Sequence, residues 1–333
     1  MATLFVSITV DWEGEHLRDV HDLQATRAAI QASLGARVPF THYICPTYWL
    51  GARRGADPAP VLRGLIPKGD EIGLHVHCWR ELIDFAGLRF RPAPDWNRDG
   101  TGHGVPLGAY GADVATILAC ARRLLQTRLG ATVHGFRCGG AMTSDSVYEA
   151  LMALGFTYDC SAFPPEVISR GFRAGRRGNL RDTTGARNEI AGYLVDLWGD
   201  KEIASGERAN TLSLRATAGR AITPMTQPYV VRSRDASILE MPGNGGISDY
   251  ASAGYMAKTF DALLELAASR AEPVFFNIGC HLEGAGRWKK PLMDFCHDRR
   301  RALSSEAVVV TTVAKAARAK LRAERSRRRA PPS

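Results

Sequence analysis

The chain has 333 residues, 45% apolar and 23% charged, with a formal net charge of +9. That is enough for a large core in one or two domains of ordinary globular composition, and no run of about 18 uncharged apolar residues offers a membrane span. The charge is concentrated: residues 314–333 hold eight Lys or Arg against one Glu, so the body is close to neutral and no nucleic-acid partner is expected.

Residues 4–15, LFVSITVDWEGE, are rich in β-branched side chains and read as a strand buried on both faces that ends in Asp11, Trp12, Glu13 and Gly14. A helix is expected over 21–35, with Asp22 able to cap it and Gly35 to end it. A second strand follows at 38–45, a short helix near 60–66, and a third strand at 71–79, EIGLHVHCW. This strand–helix rhythm is that of a parallel sheet. Residues 85–110, rich in Pro and Gly and holding Trp96 and His103, interrupt it and are expected to form a lid. Helices at 111–129 and from Ser144 or Asp145 to about 154 flank a strand at 133–140. The stretch 164–235 has little periodicity, and 193–198 is its best strand. A strand at 238–246, a helix at 251–271, a strand at 274–284, a helix at 290–303 and a short strand from 307 complete the series. About seven β/α units imply an α/β fold, a TIM-like barrel of seven strands with an open seam. Residues 1–313 are expected to be one catalytic domain and 314–333 a basic, disordered tail.

The seven cysteines form no CxxC pair, so zinc-finger spacing is absent; Cys78, Cys138 and Cys280 are expected to pack around the site. The amino terminus enters a strand at once, with no leader-like apolar stretch, and a cytoplasmic location is expected. GNGGIS, 243–248, lacks the Lys and Ser/Thr of a phosphate loop and is read as a turn beside the substrate. Trp79, Trp96, Trp198 and Trp288 are candidates for stacking on a sugar ring.

Three strand ends carry chemistry. Asp11 and Glu13 are two residues apart, as are His75 and His77, so each pair shares a strand face. Two imidazoles and a carboxylate are a ligand set for a catalytic divalent ion that keeps water positions open. Asp11 or Glu13 is the carboxylate ligand, and the other acid is placed to act as a base on an activated water. Arg137, flanked by Phe136, Cys138 and two glycines, suits a guanidinium that tunes an acid. His281 ends the late strand and suits proton donation, with Glu283 close enough to orient it.

The order TVD-x-E-G, EIG-x-H, GFR-x-G-G, YD-x-S, LEMP and a late strand ending in His resembles the NodB-type polysaccharide deacetylases, carbohydrate esterase family 4, over about residues 4–284. The resemblance implies a distorted (β/α) barrel of about seven strands and a metal-dependent hydrolysis of a sugar N-acetyl group. It makes Asp11 the base, His75 a ligand, Arg137 the partner of the base and His281 the acid. It also implies a divalent metal, zinc with cobalt or manganese as alternatives. The chain departs from the family in two places. Trp12 stands where the family has its metal-binding Asp, leaving Glu13 or Asp11 for that role, and this Asp-x-Glu form is the variant it resembles most. Trp79 stands where the second motif has its second His, leaving His77. Asp159 and Ser161 fall on the family's pocket wall.

The expected activity is N-deacetylation of an amido-sugar or a similar small cytoplasmic substrate. Hydrolysis of a cyclic ureide or imide, and carbohydrate binding without turnover, are the alternatives. A small-molecule or carbohydrate partner is expected, without a membrane span, and the oligomeric state is left open.

Overall fold

The computed structural model describes residues 2–50, 57–92, 102, 104–141, 143–164, 167, 222–233, 236–284 and 286–329. The expected strand at 193–198, Trp96, His103, Trp198 and the middle of the expected lid lie outside the described residues.

Strand β1 (Leu4–Trp12) shows why the barrel forms. Its even positions, Leu4, Val6, Ile8, Val10 and Trp12, enter the main core between sheet and helices. Its odd positions face the other way: Phe5 packs with the apolar floor around Tyr43 and Phe275, and Thr9 and Asp11 meet a buried guanidinium. A strand buried on both faces belongs inside a parallel sheet with helices outside. Around it lie β2 (Phe40–Ile44), β3 (Glu71–Val76), β4 (Gly135–Cys138), β5 (Tyr158–Asp159), β6 (Tyr229–Ser233), β7 (Ala236–Glu240), β8 (Gly246–Ile247), β9 (Val274–His281) and β10 (Val308–Val310). The order across the sheet is β6-β7-β5-β4-β3-β2-β1-β9-β8, with β10 on β1. All pairings are parallel except β6 with β7. The fold is a distorted α/β barrel.

Helices α1 (Val20–Leu34), α2 (Ala59–Leu65), α3 (Arg80–Phe85), α4 (Val114–Leu129), α5 (Asp145–Ala153), α6 (Ala253–Ala268), α7 (Gly286–Asp298) and α8 (Arg300–Leu303) connect the strands. Ser144 caps α5 by accepting from Val147 N. Asp19, not Asp22, stands at the start of α1, and its carboxylate instead accepts the Gly284 N–H at 2.8 Å.

No ladder joins β7 to β9 among the described residues. Side-chain amides span this seam. Asn277 Nδ2 donates to Pro242 O at 2.8 Å, Asn244 Oδ1 accepts from Asn277 N at 3.0 Å, and Gln227 Oε1 accepts from Phe275 N at 2.8 Å. They satisfy backbone groups that would otherwise be buried without partners.

The basic end of the chain is not a free tail. It forms helix α9 (Val313–Arg329) and closes the floor of the barrel. Val313, Ala316, Ala317 and Leu321 recur at helical spacing and pack with Tyr43, Tyr158 and Phe275. The first turn is anchored where Val313 N donates to Thr41 Oγ1 (2.9 Å) and Ala314 N to Glu71 Oε2 (2.8 Å); Tyr158 Oη donates to the same carboxylate at 2.5 Å. Arg327 pairs with Glu272 at 2.7 Å. The boundary expected at 313 therefore falls inside one packed body.

Replacing Glu71 with Ala strands the Ala314 N–H, the Tyr158 hydroxyl and the Thr41 hydroxyl, which donates to Glu71 Oε2 at 3.0 Å, and is expected to cost roughly 1–3 kcal/mol. Removing residues 313–333, which also uncovers the floor, should cost more. Urea denaturation midpoints of the two variants check the anchor, and a Glu71→Ala midpoint equal to wild type contradicts it.

Candidate metal and hydrolytic centre

The upper end of β1 is held from three sides. Gly14 follows Glu13 at φ +85°, and a Cβ there would lie 1.8 Å from Thr47 Oγ1, so glycine is required both for its backbone and for space. Glu283 accepts the N–H groups of Glu13 (3.0 Å) and Gly14 (3.2 Å), and Tyr48 Oη donates to the same carboxylate. Trp79 Nε1 donates to Glu13 O at 2.8 Å. Glu283 thus orients the strand end and not His281. Its carboxyl is pushed up to about 7 by burial and then by the charge of Glu13.

The fixed backbone aims the Glu13 carboxylate at three imidazoles. Its oxygens lie 2.5 Å from His77 Nε2, 3.3 Å from His281 Nε2 and 3.6 Å from His75 Nε2. Burial works against its charge, but His77 and His75 hold its carboxyl well below the usual carboxylate range. The ligand atoms of Glu13, His75 and His77 all lie within 4.8 Å of one another, and among the described residues they are the group that could hold a metal ion.

The donor set fits a divalent ion. His75 Nδ1 lies 2.9 Å from Arg137 O, an acceptor only, so that nitrogen carries the proton and Nε2 has a lone pair. That Nε2 is buried and has no hydrogen-bond partner. A backbone carbonyl fixing the tautomer of a histidine is a common support for a metal ligand.

Asp11 lies outside this cluster. Of the two first-strand acids, Glu13 joins the histidines and Asp11 meets Arg137, whose Nη1 donates to Asp11 Oδ1 at 2.6 Å; both side chains are almost fully buried. Arg137 Nη1 also donates to Thr9 Oγ1 (2.9 Å), Nε to Cys160 O (3.0 Å) and Nη2 to Cys160 Sγ (3.1 Å). Its ring contacts are Tyr43 and Phe163. Burial opposes the guanidinium's charge, but Asp11 more than compensates and raises its pKa.

On the other side of Glu13, His281 Nδ1 lies 3.2 Å from Asp249 Oδ2. Burial lowers an imidazole's pKa, yet Asp249, with Tyr250 and Glu13, holds that of His281 well above its ordinary value. Sequence reasoning missed Asp249. It sits in a turn after the two-residue strand β8, where no periodic pattern marks it; its nearest signal was the glycine-rich GNGGIS turn just before it. Cys78, Cys138 and Cys280 are buried free thiols outside the ligand group, as their packing role required.

Asp159 and Ser161 do not line the pocket as the motif order implied. Asp159 and Glu240 lie side by side on β5 and β7, where Tyr148 of α5 donates to Glu240 Oε2 at 2.9 Å. Asp159 Oδ1 accepts from Cys160 N (2.8 Å) and Ser161 Oγ (2.6 Å). Glu240 Oε1 accepts from Ala162 N at 3.0 Å. Together they fix the turn whose Cys160 carbonyl and thiol hold Arg137. Burial raises both carboxyls, and their proximity raises Glu240 further; two carboxylates in contact cannot both ionise at ordinary cost.

No family model matches the chain. It is 28% identical over 166 residues to glycogen synthase 1 of Rhizobium meliloti (strain 1021), a stretch making up 48% of this chain and 33% of that protein; the chain thus spans about a third of the length of that relative. Among solved structures it is similar to a protein assigned as a polysaccharide deacetylase from Mycobacterium smegmatis, at 13% identity over 100% of this chain and 93% of that one, TM-score 0.48. It is also similar to a 4-alpha-glucanotransferase from Thermococcus litoralis (12% identity, 95% of this chain and 40% of that one, TM-score 0.49). A further similar structure is an allantoinase (16% identity, 96% and 90%, TM-score 0.49). Polysaccharide deacetylases stand among these neighbours, and so do proteins of other activities, so the likeness selects no reaction.

A carboxyl raised in the folded state keeps a proton that the unfolded chain has released. Its stabilising contribution is present at low pH and lost as pH rises through the folded value. Glu240→Gln keeps a neutral partner for Asp159 at every pH. Its melting temperature relative to wild type should therefore climb as pH rises above the ordinary carboxylate range, by up to about 1.4 kcal/mol per pH unit in the underlying stability. A difference that stays flat with pH would show that the pair holds no shared proton.

Proposed function

We propose that the protein is a metal-dependent hydrolase that removes the acyl group from the nitrogen of an amido-sugar or a similar small amide. The observation carrying this reading is the convergence of Glu13, His75 and His77 within 4.8 Å, with the Arg137–Asp11 pair on one side and the Asp249–His281 pair on the other. Three protein ligands that leave room for water are the pattern of a catalytic site. His77 supplies the ligand atom that Trp79 does not, so the cluster is not one ligand short, which weighs against a binding protein without turnover. The order of motifs shared with NodB-type deacetylases supports the same roles.

When bound, a divalent ion such as zinc would polarise the acyl carbonyl and the attacking water. Asp11, positioned by Arg137, takes a proton from that water as its oxygen bonds to the acyl carbon. The negative charge that develops on the acyl oxygen faces a site with preformed positive charge. As the carbon–nitrogen bond breaks, His281, kept protonated by Asp249, delivers a proton to the departing amine. The products are the free amine and a carboxylic acid; Asp11 gives its proton to solvent and His281 takes one back from solvent.

The test is elemental analysis of protein supplied with Zn²⁺, Co²⁺ or Mn²⁺, followed by assay of acetate and amine release from N-acetylated sugars and of ring opening of a cyclic ureide. Wild type should hold about one ion per chain. His77→Ala and Glu13→Ala should each lower metal affinity at least about tenfold, a loss of about 1.4 kcal/mol. Asp11→Asn should keep the metal while losing about 10²–10⁴ in rate. Undiminished metal in both ligand variants would remove the basis of the mechanism, and ureide opening without acetate release would move the substrate to the alternative class.

A further inference from the structure

Helix α9 has two unlike faces. Its inner face, Val313, Ala316, Ala317 and Leu321, packs on the floor of the barrel. Its outer face carries Lys315, Arg318, Arg322 and Arg325, all exposed. Steps of three and four residues put these four on one side of the helix, in a row about 15 Å long. Two further cations of α9 are committed within the chain: Lys320 pairs with Glu324 at 3.3 Å and Arg327 with Glu272 at 2.7 Å. The four in the row form no ion pair among the described residues.

The surroundings of the row are basic as well. In a parallel barrel the segments leading into the strands share one end, and α9 lies across that end. The segments before β2, β3 and β9 expose Arg37, Lys68 and Arg270. Of the acids in the described lead-in segments, Asp70 is held by Arg27 and His42 and Glu272 by Arg327, which leaves Glu306 exposed. The metal ligands stand at the opposite ends of the strands.

We propose that this end of the barrel docks, through the α9 row, on an anionic phospholipid surface. Each Lys or Arg near such a surface adds about fivefold to affinity, and a row fixed on a rigid floor loses little entropy on docking. The shape of the row selects lipid among anionic partners. A helix about 10–12 Å across enters a DNA major groove about 12 Å wide only when its circumference is free, and α9 is sunk in the floor along its inner face. A single strand needs aromatic rings to stack on, and a protein partner needs an apolar anchor. The outer face offers neither, since Ala319 and Ser326 are what lies between its cations. A plane of phosphates meets the whole row at once. Docked in this way, the centre at the strand ends faces away from the lipid. The proposal does not depend on the hydrolase reading.

The experiment uses the full chain and co-sedimentation with vesicles of phosphatidylcholine, alone or with roughly one-third phosphatidylglycerol. Wild type should bind the mixed vesicles at about 0.1 M salt, release them at about 1 M, and leave phosphatidylcholine alone. The triple variant Lys315→Gln, Arg322→Gln, Arg325→Gln should bind about a hundredfold more weakly. Arg318, whose charge favours the Glu71 carboxylate, is kept so that the floor anchor stands. A control removing the same charge from the outer helices, Arg123→Gln, Lys258→Gln, Lys290→Gln, should bind nearly as wild type does. Equal binding to both vesicles, binding indifferent to salt, or a control weakened as much as the row variant would overturn the proposal. A fluorescent DNA duplex is the second probe, and its capture without vesicle binding would replace lipid by nucleic acid. The lipid and salt dependences are read on wild type, so they decide the matter even where a variant's urea midpoint shows that it has not folded.

Discussion

A guanidinium buried inside the barrel has to be fully partnered, and much of this architecture follows from how Arg137 is satisfied. An isolated charge removed from water is prohibitively costly. Here it is met by Asp11, Thr9, the Cys160 carbonyl and the Cys160 thiol. The first two come from alternate positions of β1, and the last two from the turn after β5. The requirement spreads outward. The β5 turn is itself fixed by Asp159 and Glu240 on the opposite face of the sheet, and Arg137's own carbonyl fixes the tautomer of His75. A single residue of β4 therefore sets the Asp11 carboxylate and one imidazole at once. Its side chain and its backbone act on two sides of the proposed centre.

The same economy governs the parts of the barrel that do not close. Between β7 and β9 the ladder is replaced by the amides of Asn244, Asn277 and Gln227, each presenting both a donor and an acceptor as a strand backbone would. At the floor, α9 lies across the strand starts and its first N–H groups find Thr41 and Glu71. Burial pushes the Glu71 carboxyl up, and the donors at the start of α9 and Tyr158 only partly offset that. Among the described residues the floor is apolar, and the acids and histidines stand at the opposite ends of the strands.

What could be read in the sequence were features with a two-residue or helical period. The alternation in LFVSITVDW, the histidines two apart after EIGL, and Arg137 and His281 at strand ends all lie where the pattern placed them. The helix boundaries came within a few residues. Three things were not legible. Asp249 stands in a turn, and its link to His281 spans 32 residues of sequence with no local sign. Asp159 and Ser161 read as a pocket wall because motif order carries no information about which face of a strand is meant; the register of β5 against β4 and β7 decides that. Helix α9 read as a tail because its basic composition outweighed a small-residue stripe: Ala316 and Ala317 contribute little hydrophobicity, and their burial depends on a floor that exists only after the strands have assembled.

The two departures from the deacetylase pattern belong together. In extended backbone residue 12 must point away from residues 11 and 13, and Trp12 does so: it packs in the outer core and its indole nitrogen donates to His42 Nδ1 at 3.1 Å. A carboxylate ligand on the inner face beside Asp11 therefore has to come from position 13. The same period of two applies to the second motif, where His77 follows His75 onto the inner face and meets Glu13 at 2.5 Å. Trp79 then stands where the family pattern has a more distant histidine and donates its N–H to the Glu13 carbonyl, bracing the residue that meets His77. An Asp-x-Glu strand end and a His-x-His strand end are thus one geometric solution, in which two neighbouring strands each keep their paired groups on the same side. Restoring an acid at position 12 alone would place it among Val10, Ile44 and His42 on the outer face, where no other part of the centre can reach it.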